Sequence, residues 1–170
     1  MGRTSIRPKG VAYADAVAQI KIRTARFDEP EVVELVAENM RDLSERYGGT
    51  GDDTPIAVAD FLPPHGAFLV AVRAEDDRLV ASAAWRRHGS DAELKRMFTR
   101  AEARGQGLAR RMLTAVEESA RAAGCERVIL ETGDKQPEAI ALYLSAGYER
   151  IEDFGYYKGH DGVLSYAKKI

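Results

Sequence analysis

The sequence predicts an α/β or α+β fold in which helices flank a mixed sheet. Three observations carry this. Segments with strand and helix periodicity alternate in the order strand, helix, three strands, helix, strand, helix, strands. The three middle strands are joined by short turns, which makes them antiparallel neighbours. The segment 91–99, the helix 107–123 and the segment 127–131 form a β-α-β unit, whose strands are expected to be parallel. A length of 170 residues suits one domain, with residues 1–17 as an arm and 18–170 as the domain proper.

The elements follow in order. "AQIKIRTARF" (18–27) alternates Ile20 and Ile22 with polar residues and reads as a strand. In "DEPE", Asp28 is the expected helix cap, Pro30 suits the first turn, and Glu31 stands three residues after the cap. Val32, Val33, Val36, Met40 and Leu43 then make a helical stripe that ends near Gly48 and Gly49. "GGTGDDTP" (48–55) is a loop by composition, and Pro63 and Pro64 end whatever precedes them. Residues 67–99 read as three strands with turns at "AEDD" and "HGSD". Leu108, Met112, Leu113, Val116 and Ala120 share one helical face, closed by Gly124. "RVILE" is a short buried strand. Pro137 opens a helix with Ala139, Ile140, Leu142 and Tyr143 inward, stopped by Gly147. Two strands follow, near 148–156 and 162–169.

Composition narrows the function classes. Hydrophobic residues are 45% and charged residues 31%, as in soluble globular proteins. A net charge of -2 argues against general nucleic-acid binding. The single cysteine, Cys125, supports neither an intrachain disulfide nor a multi-cysteine zinc site and reads as a structural or free thiol. No apolar run reaches the ~18 residues of a membrane span. "MGRTSIRPKG" has no secretory apolar region, and Ile6 stands where a myristoylation signal wants Ser or Thr, so the cytoplasm is expected.

"EARGQGLARRML" (102–113) places two glycines where a helix is about to begin. A helix N-terminus presents unpaired N–H groups and the positive end of the helix dipole. A phosphate docks there if no Cβ blocks the backbone, and Gly105 and Gly107 remove those atoms. An unliganded tight turn has the same composition. A Walker loop is excluded by Leu108-Ala109, and a dinucleotide fingerprint is disfavoured by Arg110, where a third small residue belongs.

Arg104-Gly105-Gln106-Gly107-Leu108-Ala109 resembles the Arg/Gln-x-x-Gly-x-Gly/Ala signature of the GNAT superfamily, the acyl-CoA-dependent N-acetyltransferases. "AELKRMFTRAEARGQGLARRML" is similar to that family's pyrophosphate-binding strand, loop and helix. "QPEAIALYLSAGYER" (136–150) is similar to its second motif. The resemblance covers about residues 19–170 and implies a mostly antiparallel sheet of six to seven strands around a central β-α-β unit. It implies acetyl-CoA in a V-shaped opening, with backbone groups of Met97, Phe98 and Thr99 pairing with the pantetheine arm. The amides of Gly105, Gln106, Gly107, Leu108, Ala109 and Arg110 would hold the pyrophosphate, with Arg104 and Arg110 adding charge. Gln136 stands where the family often has Asn and keeps the amide on a longer stem.

The implied reaction is acetyl transfer to a primary amine, on a small molecule or a protein, by direct attack in a ternary complex. It requires no metal, and the protein is expected to be a monomer or homodimer that binds neither nucleic acid nor membrane. A primary amine is mostly protonated at neutral pH, so a base or a water chain to one is useful. Glu93 aligns with a glutamate that some members use; Glu131 and Asp153 are alternatives, and a solvated strand residue is the other reading of Glu93. Tyr143 is the candidate acid for the departing thiolate, with a core tyrosine as its other reading. Oxyanion stabilisation is expected from a backbone N–H near Met97 or Phe98. His65, His88 and His160 are scattered and read as surface or structural. For the acceptor, Asp52, Asp53 and Asp153 would suit a cationic amine and Arg46 a carboxylate, unless these mark solvated loops. Two other classes remain: a non-catalytic acyl-CoA-sensing module, against which Tyr143 argues, and a nucleotide-binding oxidoreductase, against which Arg110 argues.

Overall fold

The computed structural model describes residues 19–170; the expected arm, residues 1–17, lies outside them. The elements are β1 (Ile20–Ala25), α1 (Pro30–Tyr47), a 3-10 turn (Val58–Phe61), β2 (Gly66–Arg73), β3 (Arg78–His88), β4 (Asp91–Thr99), a second 3-10 turn (Ala101–Ala103), α2 (Leu108–Ala122), β5 (Arg127–Gly133), α3 (Pro137–Ser145), β6 (Glu149–Arg150) and β7 (Val163–Lys169). They build one seven-stranded sheet in the order β1-β2-β3-β4-β5-β7-β6. Every pairing is antiparallel except β4 with β5.

Side chains alternate across a strand, so β2 feeds two cores. Phe68 and Val70 pack on one face with Val32 and Leu35 of α1 and with Phe61. Leu69 and Ala71 pack on the other face with Met112, Leu113 and Val116 of α2. The central β3 is covered on both sides and is buried from Leu79 to Trp85. The α2 face is the one its spacing predicts, and Gly124 closes it in the left-handed conformation at φ 79°.

Three sequence expectations shift. Asp28 does not cap α1: its carboxylate accepts from Arg26 at 2.9 and 2.7 Å, and Glu29 occupies the cap position instead. The buried stripe of α1 is Val32, Leu35 and Asn39, while Val33 is 53% exposed. Tertiary packing set that rotation, because Val residues lie on both sides of the stripe. The strand expected near 148–156 shrinks to Glu149–Arg150, and the chain leaves the sheet in turns with Gly155, Gly159 and Gly162 at positive φ.

The parallel seam is short. β4 pairs with β5 only at Ala92 with Val128 and Glu93 with Ile129. The register of β3 on β4 also breaks between Ser82 and Ala84, and Arg96 stands in the left-handed region at φ 54°. Ser82 Oγ donates to the Arg96 carbonyl at 2.8 Å, which holds this bulge. After Glu93 and Ile129, β4 and β5 are no longer paired. No helix among the described residues is long and apolar enough to cross a membrane.

Candidate active site

The parted strands open a cleft of about 470 Å³ between β4, α1, α3 and the start of α2. Met97, Phe98 and Thr99 line it from β4, and Gln136 lines it at the start of α3. Arg104, Gly105, Gly107, Leu108, Ala109 and Arg110 line its other end. Gln106 turns away, and its amide donates to the Glu102 carbonyl at 3.3 Å.

The glycine end fits an anion. α2 starts after Gly107, at φ 73°, with no side-chain cap. The Arg111 N–H is bonded to the Gly107 carbonyl at 3.2 Å, so the Leu108, Ala109 and Arg110 amides precede the helical ladder. A Cβ placed on Gly105 or Gly107 would meet no atom of the described residues within 4 Å, so among these residues nothing crowds the glycine turn where a pyrophosphate would dock. Arg110 donates to Ser145 Oγ at 2.5 Å. Arg104 braces the loop: it donates to the Thr99 carbonyl at 2.9 Å and to Asp42 at 3.1 Å.

A second, smaller opening of about 80 Å³ lies on the other side of the splay. It shares Asn39, Leu43, Met97, Gln136 and Tyr143 with the cleft. These shared residues mark where contents of the two openings can meet. Tyr143 is 6% exposed there, with its hydroxyl 3.8 Å from Met97 Sδ and its ring 5.7 Å from that of Tyr148. Burial pushes its phenol well above the usual value, which keeps the proton on it.

Lys95, Arg96 and Glu131 line only the smaller opening. Glu93 lines neither opening. It is not solvated either: it is 2% exposed, with Arg86 at 2.8 Å and Lys95 at 3.0 Å on its two oxygens. Asp153 also lies off both openings, bound to Arg150 at 2.7 Å. Glu131 stands differently. Its side chain is 4% exposed, Oε1 accepts from the Tyr157 N–H at 3.2 Å, and Oε2 has no hydrogen-bond partner among the described residues. Burial pushes its carboxyl up, and Lys95, 3.9 Å away, only partly offsets this. Gly155 covers Oε2 so closely that a Cβ there would come within 2.9 Å.

The charged acceptor-loop candidates are already partnered. Asp52 forms an ion pair with Arg96 and accepts from the Tyr157 hydroxyl at 3.0 Å. Asp53 is hydrogen-bonded to Thr50, and Arg46 pairs with Asp42 at 3.0 Å and Glu138 at 2.5 Å. Burial raises the Asp52 carboxyl, but Arg96 and Lys95 outweigh it and hold it at about 2. A depressed native pKa stabilises the fold above the unfolded value of ~3.9, and that contribution is lost as pH falls toward the native one. Asp52→Asn is thus expected to cost on the order of 2 kcal/mol at neutral pH and to flatten the acid limb of stability below about pH 4. Denaturant titrations of both proteins across that range check it.

The sequence reading passed over Asn39 and Lys95. Asn39 sat between stripe positions assigned one step out of phase, and of the partners of Lys95 only Glu93 is near in sequence, while Thr54 and Glu131 are distant.

Comparison with known proteins agrees with this geometry. The acetyltransferase (GNAT) family profile matches residues 32–148. A protein of Azospirillum brasilense named IAA acetyltransferase is 35% identical over 138 residues, spanning 81% of this chain and 89% of its own. A Klebsiella pneumoniae structure assigned as an acyl-CoA N-acyltransferase superposes with a TM-score of 0.74 at 25% identity, covering 89% of this chain and 98% of that one. The PaiA N-acetyltransferase of Thermoplasma acidophilum, solved in complex with coenzyme A, shares the fold with a TM-score of 0.65 at 16% identity over 89% of this chain and 99% of its own. The chain therefore belongs to the acetyltransferase (GNAT) family.

Proposed function

We propose that the protein transfers an acetyl group from acetyl-CoA to a primary amine in a ternary complex. The observation that carries this is the meeting of two openings at Tyr143, one ending at the free amides of α2. The choice of acetyl leans on the name of the Azospirillum relative. Bound acetyl-CoA supplies the activated thioester carbonyl. The Leu108, Ala109 and Arg110 amides hold its pyrophosphate. The backbone of Met97, Phe98 and Thr99 lies along its arm, and a β4 N–H there faces the thioester oxygen. Gln136 adds a hydrogen bond from the α3 side. Tyr143 donates its proton to the departing sulfur.

The base is Glu131 in this reading, in place of Glu93. It lines the amine's opening, has an oxygen with no hydrogen-bond partner among the described residues, and carries a raised carboxyl pKa. A carboxyl tuned upward is a better match to a proton held near neutral pH.

The test is thiol release from acetyl-CoA against a panel of amines. Turnover with at least one primary amine is expected, and binding of coenzyme A without turnover on any amine would favour the sensing module instead. In the same assay Glu131→Gln should lose roughly 10²-fold or more at neutral pH and recover partly as rising pH supplies free amine. The wild-type acid limb should lie above the ordinary carboxylate range, because burial raises Glu131. An unchanged pH–rate profile in Glu131→Gln removes it from the base role.

A further inference from the structure

Asn39 sits mid-way along α1, on the same buried stripe as Val32 and Leu35, and is 5% exposed. Its carboxamide makes no hydrogen bond to the described residues, and it is not among the side-chain groups that are both unpartnered and wholly withdrawn from solvent. Asn39 also lines both openings, which places it at their junction. An amide that opens onto both spaces and is bonded to no described residue can take a ligand atom there.

The junction has few groups to offer an amine. Leu43 and Met97 bring no strong acceptor, and the Tyr143 hydroxyl is directed at Met97 Sδ. Gln136 stands at the start of α3, on the wall assigned to the cofactor. A neutral primary amine carries two N–H bonds. As its nitrogen bonds to the acyl carbon and the C–S bond breaks, one of those protons goes to Glu131, while Tyr143 protonates the sulfur. The other N–H stays on the nitrogen and needs an acceptor throughout.

Building on the acetyltransferase reading, we propose that Asn39 Oδ1 accepts this second N–H and so makes the site selective for primary amines over their N-methyl analogues. A secondary amine has a single N–H, which must leave with the base. Its reaction would leave the Asn39 amide unpaired, and sites built around a hydrogen bond reject analogues that lack it.

The experiment compares wild type, Asn39→Leu and Asn39→Asp on one accepted primary amine and its N-methyl analogue. Melting temperature and acetyl-CoA affinity are measured alongside. Wild type should prefer the primary amine. Asn39→Leu should cut kcat/KM for that amine roughly 10- to 100-fold, and the preference should collapse. Its melting temperature should hold or rise, since leucine suits the apolar stripe and removes an unpaired amide. Asn39→Asp keeps an acceptor oxygen and should retain most of the preference.

Four results would overturn the proposal. A Leu variant that keeps the preference assigns it to steric exclusion of the methyl group. Loss of acetyl-CoA affinity without loss of amine selectivity assigns Asn39 to the cofactor. Equal damage in the Asp and Leu variants assigns the role to the amide N–H. A wild type that binds coenzyme A and acetylates no amine removes the parent reading, and this one with it.

Discussion

Tyr143→Phe is expected to fold and bind acetyl-CoA like the wild type while turnover falls ~10²–10⁴-fold, the usual worth of a positioned acid. The phenol's only hydrogen bond among the described residues is a long one, 3.8 Å to the Met97 sulfur, so removing the oxygen costs little stability. The ring itself stays, packed 5.7 Å from Tyr148 and 6.5 Å from Tyr166. Burial keeps the proton on the phenol, so the group is present as a donor, and the same burial disfavours a thiolate left charged as it departs. The loss should fall on kcat more than on KM, because the proton is needed only as the C–S bond breaks. If melting temperature and cofactor affinity drop together with rate, the hydroxyl is structural. If nothing changes, Tyr143 is a packing residue and the acid role is abandoned.

Gly107→Val is expected to abolish the rise in melting temperature that coenzyme A causes in the wild type by mass action. Two effects contribute, and they can be separated. At φ 73° a β-branched residue is strained by ~1–2 kcal/mol whatever surrounds it. The new Cβ meets no atom of the described residues within 4 Å, and Gly107 lines the cleft, so the side chain crowds the cleft and not the fold. Gly124→Val is the control. Gly124 has φ 79° and equally open surroundings, but it lies beyond the other end of α2. It should lose similar stability and keep the full coenzyme A shift. A Gly107→Val protein that binds coenzyme A normally would sink the phosphate assignment.

Asn39 shows why part of the site escaped the sequence reading. A helix with Val32, Val33, Leu35, Val36, Met40 and Leu43 has apolar residues over a wide arc. The period is evident, but its phase is ambiguous by one position. Only docking on Phe68 and Val70 chose the rotation that buries Asn39 and exposes Val33. The surroundings of Glu93 were hidden for a related reason. Its place on β4 was right, yet its solvation and partners depend on Arg86 across the β3 register and on Lys95 two residues on.

By itself the sequence determined the order of elements, the β-α-β unit, and the glycine turn that opens α2. These follow from local physics: periodicity, proline at helix starts, and glycine where φ is positive. Tertiary structure alone decided which charges face the junction. Asp52 reaches Arg96 across 44 residues and Tyr157 across 105, and those contacts withdraw it from the acceptor. Glu131 Oε2 has no hydrogen-bond partner among the described residues and lies 3.9 Å from Lys95, with Gly155 of the β6–β7 loop folded over it. No periodicity encodes such pairings, since Coulomb attraction and desolvation act between side chains that only the completed sheet brings together.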